Sequence, residues 1–416
     1  MTGGVAWSCV FSSAPIKDIK TCRMNFKSDG TSCSAGYVPR DGRHDDNGAP
    51  IVEPTTASSV LTIECKSYSD LSDEELARWQ SFHQSQPELG SPYYHPEFTA
   101  AVDEVRPDVE VAVIRNDRDQ VVAFFPFQRQ GKVAFPIGGR MNDFHGLVAH
   151  SGTKLNIADV FTSLGLKSFK FHAVVDLADS FKRHSFRTLK SHYIDMSDGF
   201  DHYHAWARKH STTIKRQPQK TRALEREVGP LSFEFDCDDR EILEQLIELK
   251  SAKYQRTKTF DILSVDWASN VLRSIFERTS EAFSGQLSVV RAGDELVAMH
   301  FGMINDDILH YWFPVFDPRF SKYSPGTILM LKSCEAAAAR GITRVDLTFG
   351  DDPYKFKFAN GSSDVLAGYL TFNPIQQFLE RSRYETRLLL KKIPFKPQAK
   401  TLLRKVYPGF GGWNFQ

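Results

Sequence analysis

The residues best placed to do chemistry lie in Arg344-Val-Asp-Leu-Thr-Phe-Gly-Asp-Asp-Pro-Tyr-Lys-Phe-Lys-Phe-Ala-Asn360. Apolar alternation up to Phe349 predicts a strand. It breaks at Gly350, and two carboxylates, Asp351 and Asp352, follow before Pro353. Aromatic residues and lysines then alternate, which predicts a second strand with Lys355 and Lys357 on one face. A carboxylate can accept a proton from a nucleophile, and an ammonium or hydroxyl group can hold a developing oxyanion. The plain structural alternative is a charged hairpin whose Asp–Lys pairs contribute under ~1 kcal/mol.

A second candidate is the loop Phe320-Ser-Lys-Tyr-Ser-Pro-Gly-Thr327. Ser324 suits a helix N-cap and Pro325 the first helical position. The amides of Gly326 and Thr327 then sit at the positive end of a helix dipole, where a phosphate can approach closely. Ordinary capping explains the same residues. In the first half, Met141-Asn-Asp-Phe-His-Gly146 follows Gly138-Gly139. There Asp143 and His145 can hydrogen-bond a ligand, or simply close a turn. Between Arg208 and Arg226 the chain carries seven Lys/Arg and one Glu. That run fits a solvated helix face or a collector of phosphates. His300, on a β-rich segment, reads more readily as a core or surface histidine than as a ligand.

These residues need elements to position them. Residues 1–58 are rich in Gly, Ser, Thr, Asp and Pro without apolar periodicity, so they read as disordered. Regular pattern starts at Val60, followed by helices over Ser72–His83 and Pro96–Val105, with Ser72 and Glu75 spaced as a capping box. Strands are expected over 109–115 and 120–128. Helices follow over 239–255 and 266–283, then a meander over 287–291, 295–304 and 308–316. A helix over 327–340 closes on Gly341 before a strand over 342–349. Strand, helix, strand implies a parallel crossover and therefore a mixed sheet. In a crossover sheet the ligand lies beyond the C-terminal ends of the parallel strands, which puts Asp351 and Asp352 at the mouth of a cleft. The phrase Val111-Ala-Val-Ile-Arg-Asn-Asp-Arg-Asp-Gln-Val-Val-Ala123 resembles Leu287-Ser-Val-Val-Arg-Ala-Gly-Asp-Glu-Leu-Val-Ala298, the mark of a duplicated domain or of any two hairpins.

Several motifs in order carry a family resemblance. Tyr311-Trp-Phe-Pro314, Tyr323-Ser-Pro-Gly326, Ala339-Arg-Gly-Ile342, Asp346-Leu347 and Gly350-Asp-Asp-Pro-Tyr-Lys355 resemble the CelD-type acetyltransferases associated with cellulose biosynthesis. In the first half Tyr94-His-Pro-Glu-Phe98, Phe125-Pro-Phe127 and Asp143-Phe-His-Gly146 fit the same family. The resemblance spans roughly residues 85 to 370 and implies an α/β fold with a mixed sheet. It implies two tandem GNAT-like domains of the acyl-CoA N-acyltransferase fold, as in the FemABX aminoacyltransferases. The expected layout is a disordered segment (1–58), an acceptor-side domain (59–200), a basic helical linker (201–230), a donor-side domain (231–372) and a basic helical tail (373–416).

The resemblance further implies transfer of an acyl group, from acetyl-CoA as co-substrate, to an amine of an amino-sugar precursor or exopolysaccharide. Tyr323, Ser324, Gly326 and Thr327 would bind the donor. Asp143, His145, Trp312 and Lys357 would bind the acceptor. Tyr354 would orient the leaving group, and Lys355 would polarise the acyl carbonyl or hold a phosphate. Asp351 or Asp352 would accept the proton. The usual GNAT loop pattern Gln/Arg-x-x-Gly-x-Gly/Ala is reduced here to Gly326, which leaves aminoacyl-tRNA open as donor, with peptidoglycan precursor as acceptor. A non-catalytic ligand-sensing module is the third reading.

Composition fits these readings. The 416 residues carry a formal charge of +1 and 41% hydrophobic residues, ordinary for a globular protein and unlike a nucleic-acid coat. Six scattered cysteines without a Cys-x-x-Cys pair argue for reduced thiols and no metal site. No apolar run approaches the ~18 residues of a membrane span, and no signal peptide is visible, so a cytoplasmic protein is expected. Its last ~45 residues, with nine Lys/Arg against two Glu, can pack back on the second domain or rest on the inner membrane. No hydrolase nucleophile elbow is present.

Overall fold

The computed structural model describes residues 22–23, 61–350 and 352–392. The segment expected to be disordered, 1–58, lies almost wholly outside them, as do Asp351 and the last part of the basic tail. Twelve strands of three or more residues alternate with ten helices among the described residues. The first half holds β1 (Thr62–Lys66), α1 (Asp73–Gln84), α2 (Pro96–Asp103), β2 (Val109–Arg115), β3 (Val121–Gln130), β4 (Val133–Phe135), α3 (Ile157–Ser163), β5 (Ser168–Val174) and β6 (Ser185–Asp195). Two helices follow, α4 (Phe200–His210) and α5 (Thr212–Glu227). The second half holds β7 (Leu231–Glu234), α6 (Arg240–Arg256), α7 (Asp266–Phe276), β8 (Ser284–Ala292), β9 (Glu295–Asn305), β10 (Ile308–Phe316), α8 (Pro325–Ala339), β11 (Arg344–Phe349), the short α9 (Lys355–Phe358) and β12 (Gly361–Thr371). Helix α10 (Pro374–Lys392) ends the described chain.

All the strands join one sheet, with the order β1-β2-β3-β4-β5-β12-β6-β11-β10-β9-β8-β7. Two two-residue strands, Cys22–Arg23 and Val148–Ala149, add to its first half. The order is a palindrome in which each strand of the first half matches the strand six places later. Directions match too. Among the described residues the only parallel ladders between these strands are β4 with β5 and β10 with β11, and every other neighbouring pair is antiparallel. A duplication fits this order, with a pseudo-two-fold axis between β12 and β6. Each half sends its last strand across that axis, so β6 pairs with β11 and β12 pairs with β5. The expected domain limits at residues 200 and 372 therefore follow the chain and cut across the sheet.

Local chemistry explains the elements. Ser72 and Glu75 form the reciprocal capping box that starts α1. Gly138 and Gly139 both take positive φ (70° and 52°) at the turn after β4. Helix α7 stops at Phe276, short of the expected 283, because Arg278 turns toward α2 and holds Glu97 (3.0 Å) and Glu104 (2.7 Å). The expected Lys355–Lys357 strand is instead the helical turn α9. Pro353 fixes φ, the Lys355 N–H donates to the Asp352 carbonyl (3.0 Å), and Phe358 buries itself beneath α4. Helix α5, expected as part of a linker, packs on α8 through Ile214, Gln217 and Leu224, while Lys215, Arg216, Arg222 and Arg226 face solvent.

The largest apolar cluster ignores the division into halves. It joins Trp79, Phe98 and Phe124 to Leu246, Leu272, Met299 and Phe313, all buried. Each such side chain contributes about 1.5–3 kcal/mol. The pseudo-equivalent helices α2 and α7 meet at this seam.

Candidate active site

The site begins where two parallel strands part. β10 and β11 pair at only three positions, Ile308–Arg344, Leu309–Val345 and His310–Asp346. Beyond them β10 curves away, because a bulge places both Tyr311 and Trp312 opposite Gly302 of β9. The bulge takes the Trp312 N–H out of the ladder, and His300 accepts it on Nε2 at 3.2 Å. His300 lies flat on the Tyr311 ring (3.9 Å, 8°). Burial drives its pKa well below the ordinary value, followed by the charges of His310 and Lys250, which keeps that nitrogen an acceptor. Gly302 is required here, since a Cβ would stand 2.7 Å from His300 Cε1.

The other wall is the end of β11. Thr348, a β-branched residue, adopts φ +64°, and its buried Oγ1 has no partner. Lys355 turns back from α9 and donates to the carbonyls of Phe349 (2.5 Å) and Thr348 (3.4 Å), 3.8 Å from the Asp352 carboxylate. Its side chain is buried, so it caps the strand end from within. Lys357 points to solvent and Asp352 is exposed at the rim. Tyr354 is half-buried; burial raises its pKa, followed by the charges of Asp352 and Asp143, so its hydroxyl stays protonated.

Asp143 brings the first half into the site. Tyr93 donates its hydroxyl to the Met141 carbonyl (2.8 Å) and accepts the Asp143 N–H, fixing the 141–143 turn against the second half. His310 Nε2 lies 3.3 Å from the Tyr93 oxygen and 3.3 Å from Asp143 Oδ2. His310 is fully buried, whereas the Asp143 side chain keeps 23% exposure. Tyr254 of α6 also senses this carboxylate: burial first, then Asp143, raises its pKa. Trp312 packs beside Tyr93 (5.8 Å) and His310 (6.4 Å). His145, two residues from Asp143, turns inward. Its Nε2 accepts the His172 N–H (3.1 Å) and its Nδ1 faces Asn142 Oδ1 (3.3 Å), so it holds the turn.

Lys250 of α6 lies under the parted strand. It donates to the Pro314 carbonyl (2.9 Å) between the rings of Tyr254 and Phe313. Burial pushes its pKa down to about 7, with Lys253 adding to the effect.

The loop into α8 differs in detail from expectation. Ser324 occupies the N-cap position but adopts the left-handed conformation (φ 57°), and its hydroxyl meets the Lys220 ammonium of α5 instead of capping the helix. The Thr327 N–H donates to the Ser324 carbonyl (2.9 Å), and Gly326 N–H has no backbone acceptor among the described residues. A Cβ on Gly326 would meet only Phe316, at 3.8 Å. Tyr323 is buried, with its hydroxyl donating to Glu227 (2.7 Å) and its carbonyl accepting from Gln217 (3.3 Å). Among the described residues no group of three His, Cys, Asp or Glu is arranged to hold a metal ion.

Sequence reasoning missed His310, Tyr93, Tyr254 and Lys250. Only Lys250 left a clear signal, a lysine at a buried position of the 242–243–246–247–250 helical series.

Residues 208–356 match the Acetyltransferase (GNAT) domain family. No curated protein matches the chain. Among solved structures, FemX is similar over 73% of this chain and 97% of its own, at 12% identity and TM-score 0.50. A tandem GNAT protein from the clavulanic acid biosynthesis pathway covers 76% and 99% (11% identity, TM-score 0.44), and L-PGS from Bacillus licheniformis 75% and 96% (12%, 0.46). The chain has the acyl-CoA N-acyltransferase fold, and its residues 208–356 carry the match to the acetyltransferase (GNAT) domain.

Proposed function

We propose that this GNAT-type acyltransferase moves an acetyl group from acetyl-CoA to the amine of an amino-sugar or polysaccharide precursor. The observation that carries the reading is the parting of β10 and β11 at His310 and Asp346, with Asp143, Tyr254 and Tyr354 converging on it. The edge of β10 beyond His310 is released from the β11 ladder and offers backbone groups to an extended donor chain. Gly326, at the first turn of α8, offers an amide to a phosphate, and Lys220 of α5 adds positive charge beside it. Tyr354 supplies a protonated hydroxyl for the departing thiolate, and Lys355 fixes the strand end that carries it. The amino-sugar acceptor follows from the ordered motifs shared with CelD-type acetyltransferases.

Thermal unfolding with acetyl-CoA, CoA and UDP-amino sugars tests this reading. A ligand at one hundred times its Kd adds about 2.7 kcal/mol to stability. Stabilisation by both CoA species is expected. No shift with either would overturn the donor assignment and favour aminoacyl-tRNA.

A peripheral contact with anionic membrane belongs to the same reading. Ile375 (70% exposed), Phe378 (69%) and Leu389 (62%) line one face of α10, and the chain from 373 to 416 carries nine Lys/Arg against two Glu. No described helix is long and apolar enough to cross a membrane. Flotation with phosphatidylglycerol vesicles, lost in Phe378→Glu, is expected. Equal behaviour with neutral vesicles would reject the contact.

A further inference from the structure

We propose that Asp143, contributed by the first half, takes the proton of the acceptor amine, that His310 holds its carboxylate for that task, and that Tyr93 holds its backbone N–H. The inference rests on the acyl-transfer reading above and gives the first half a catalytic residue.

Hydrogen-bond accounting fixes the arrangement. Tyr93 donates its hydroxyl proton to the Met141 carbonyl, so toward His310 it offers only an oxygen. The Asp143 carboxylate is likewise an acceptor. Both face His310 Nε2 at 3.3 Å, so Nε2 carries a proton. Nδ1 is buried and has no partner to hold a proton there. An imidazole so placed orients a carboxylate and does not compete for the substrate, because His310 is fully buried while the Asp143 side chain keeps part of its exposure.

Asp352 is the rival base. Its side chain is 66% exposed at the rim and lies beside the Lys355 ammonium. Asp143 instead stands where β10 leaves β11, its charge reaching Tyr254 on one side and Tyr354 on the other.

The step balances. The amine nitrogen forms a bond to the thioester carbonyl carbon, and its N–H proton passes to Asp143. The C–S bond breaks, its electron pair leaves with sulfur, and the thiolate takes a proton from Tyr354 or water. Asp143 then releases its proton to solvent through its exposed oxygen. His310 and Tyr93 are positioning residues that act through Asp143.

The test uses the full chain, acetyl-CoA, and two acceptor amines, glucosamine and the weakly basic hydroxylamine, with release of CoA thiol as readout. Asp143→Asn is expected to lower kcat for glucosamine by ~100-fold or more, with KM for acetyl-CoA within about twofold, since the donor groove is untouched. The deficit shrinks with hydroxylamine, whose adduct loses its proton readily. His310→Ala lowers kcat by ~10-fold, and His310→Gln, which keeps an N–H donor, restores most of it. Nitrogen-15 spectra of labelled histidine show the Nε2–H tautomer in the parent. Asp143→Asn within a few-fold of the parent overturns the proposal, as does a His310 ring protonated at Nδ1. If the parent releases no CoA with either amine, the donor assignment fails, and the tautomer alone decides the Asp143–His310 pair.

Discussion

Replacing Lys250 by Met isolates the cost of a buried amine beneath β10. The pKa of Lys250 falls from the ordinary 10.5 to about 7 because burial penalises its charged form. At about 1.4 kcal/mol per pH unit, that displacement is worth on the order of 5 kcal/mol. The sign follows from proton binding. Between pH 7 and 10.5 the unfolded chain holds a proton on this lysine that the folded chain lacks, so stability rises with pH across that window. Below pH 7 the full cost of burial is present. Between pH 7 and 8.5 this residue alone should add on the order of 1–2 kcal/mol to the parent. Lys250→Met fills similar volume and removes the titration, though it leaves the Pro314 carbonyl without its donor, which costs about 1–3 kcal/mol. The variant should be about 2–4 kcal/mol more stable than the parent at pH 7 and should lack the parent's rise to pH 8.5. Urea unfolding followed by tryptophan fluorescence at the two pH values measures both effects. The same pH slope in parent and variant would refute the reasoning. A stabilised variant that turns over slowly would show that the amine is kept for its position beside the slot.

Three further outcomes are expected. Gly326→Ala leaves the unfolding temperature unchanged, since its Cβ meets only Phe316 at 3.8 Å, while raising KM for the donor, as steady-state kinetics would show. Lys355→Ala lowers the unfolding temperature because the Phe349 and Thr348 carbonyls lose their donor, and it lowers turnover through the displaced strand end; an unchanged unfolding temperature would refute that role. A chain ended before Gly361 lacks β12 and leaves edges of β5 and β6 open, so it should aggregate on size-exclusion chromatography.

Much of the architecture was legible in the sequence because its signals are local. The 308–316 strand matches the expected limits, and the Ser72 capping box and the helix opening at Pro325 follow from residues within one turn. The repeated hairpin phrase pointed to the duplication that the palindromic strand order fits. What stayed hidden depends on distant partners. Nothing near Gly361 announces that its strand pairs with β5, whose Val174 and Ser168 stand opposite Leu366 and Thr371. Lys355 and Lys357 alternate like strand residues, yet Pro353 and the burial of Phe358 set a helical turn. Asp143 was legible as a candidate, but its partner His310 lies in the other half, and only the fold brings them together. His145 has the right chemistry at the right spacing, and the His172 backbone claims it.

The crossed strands have a consequence for synthesis. A chain leaves the ribosome from its N-terminus, and most domains close as they emerge. Here β5 emerges with only the short β4 to flank it, because its other partner, β12, is the last strand of the sheet to be made. β6 is likewise made long before β11. From the emergence of β5 until residues 361–371 are made, the first half therefore presents an unpaired, strongly apolar edge through Phe169 and Phe171, both fully buried in the finished protein. Pairings this remote close slowly, since the loop entropy falls due before any contact repays it. The nascent protein is thus a natural client for chaperones, and synthesis rate, as much as final stability, should govern how much of it reaches the folded state.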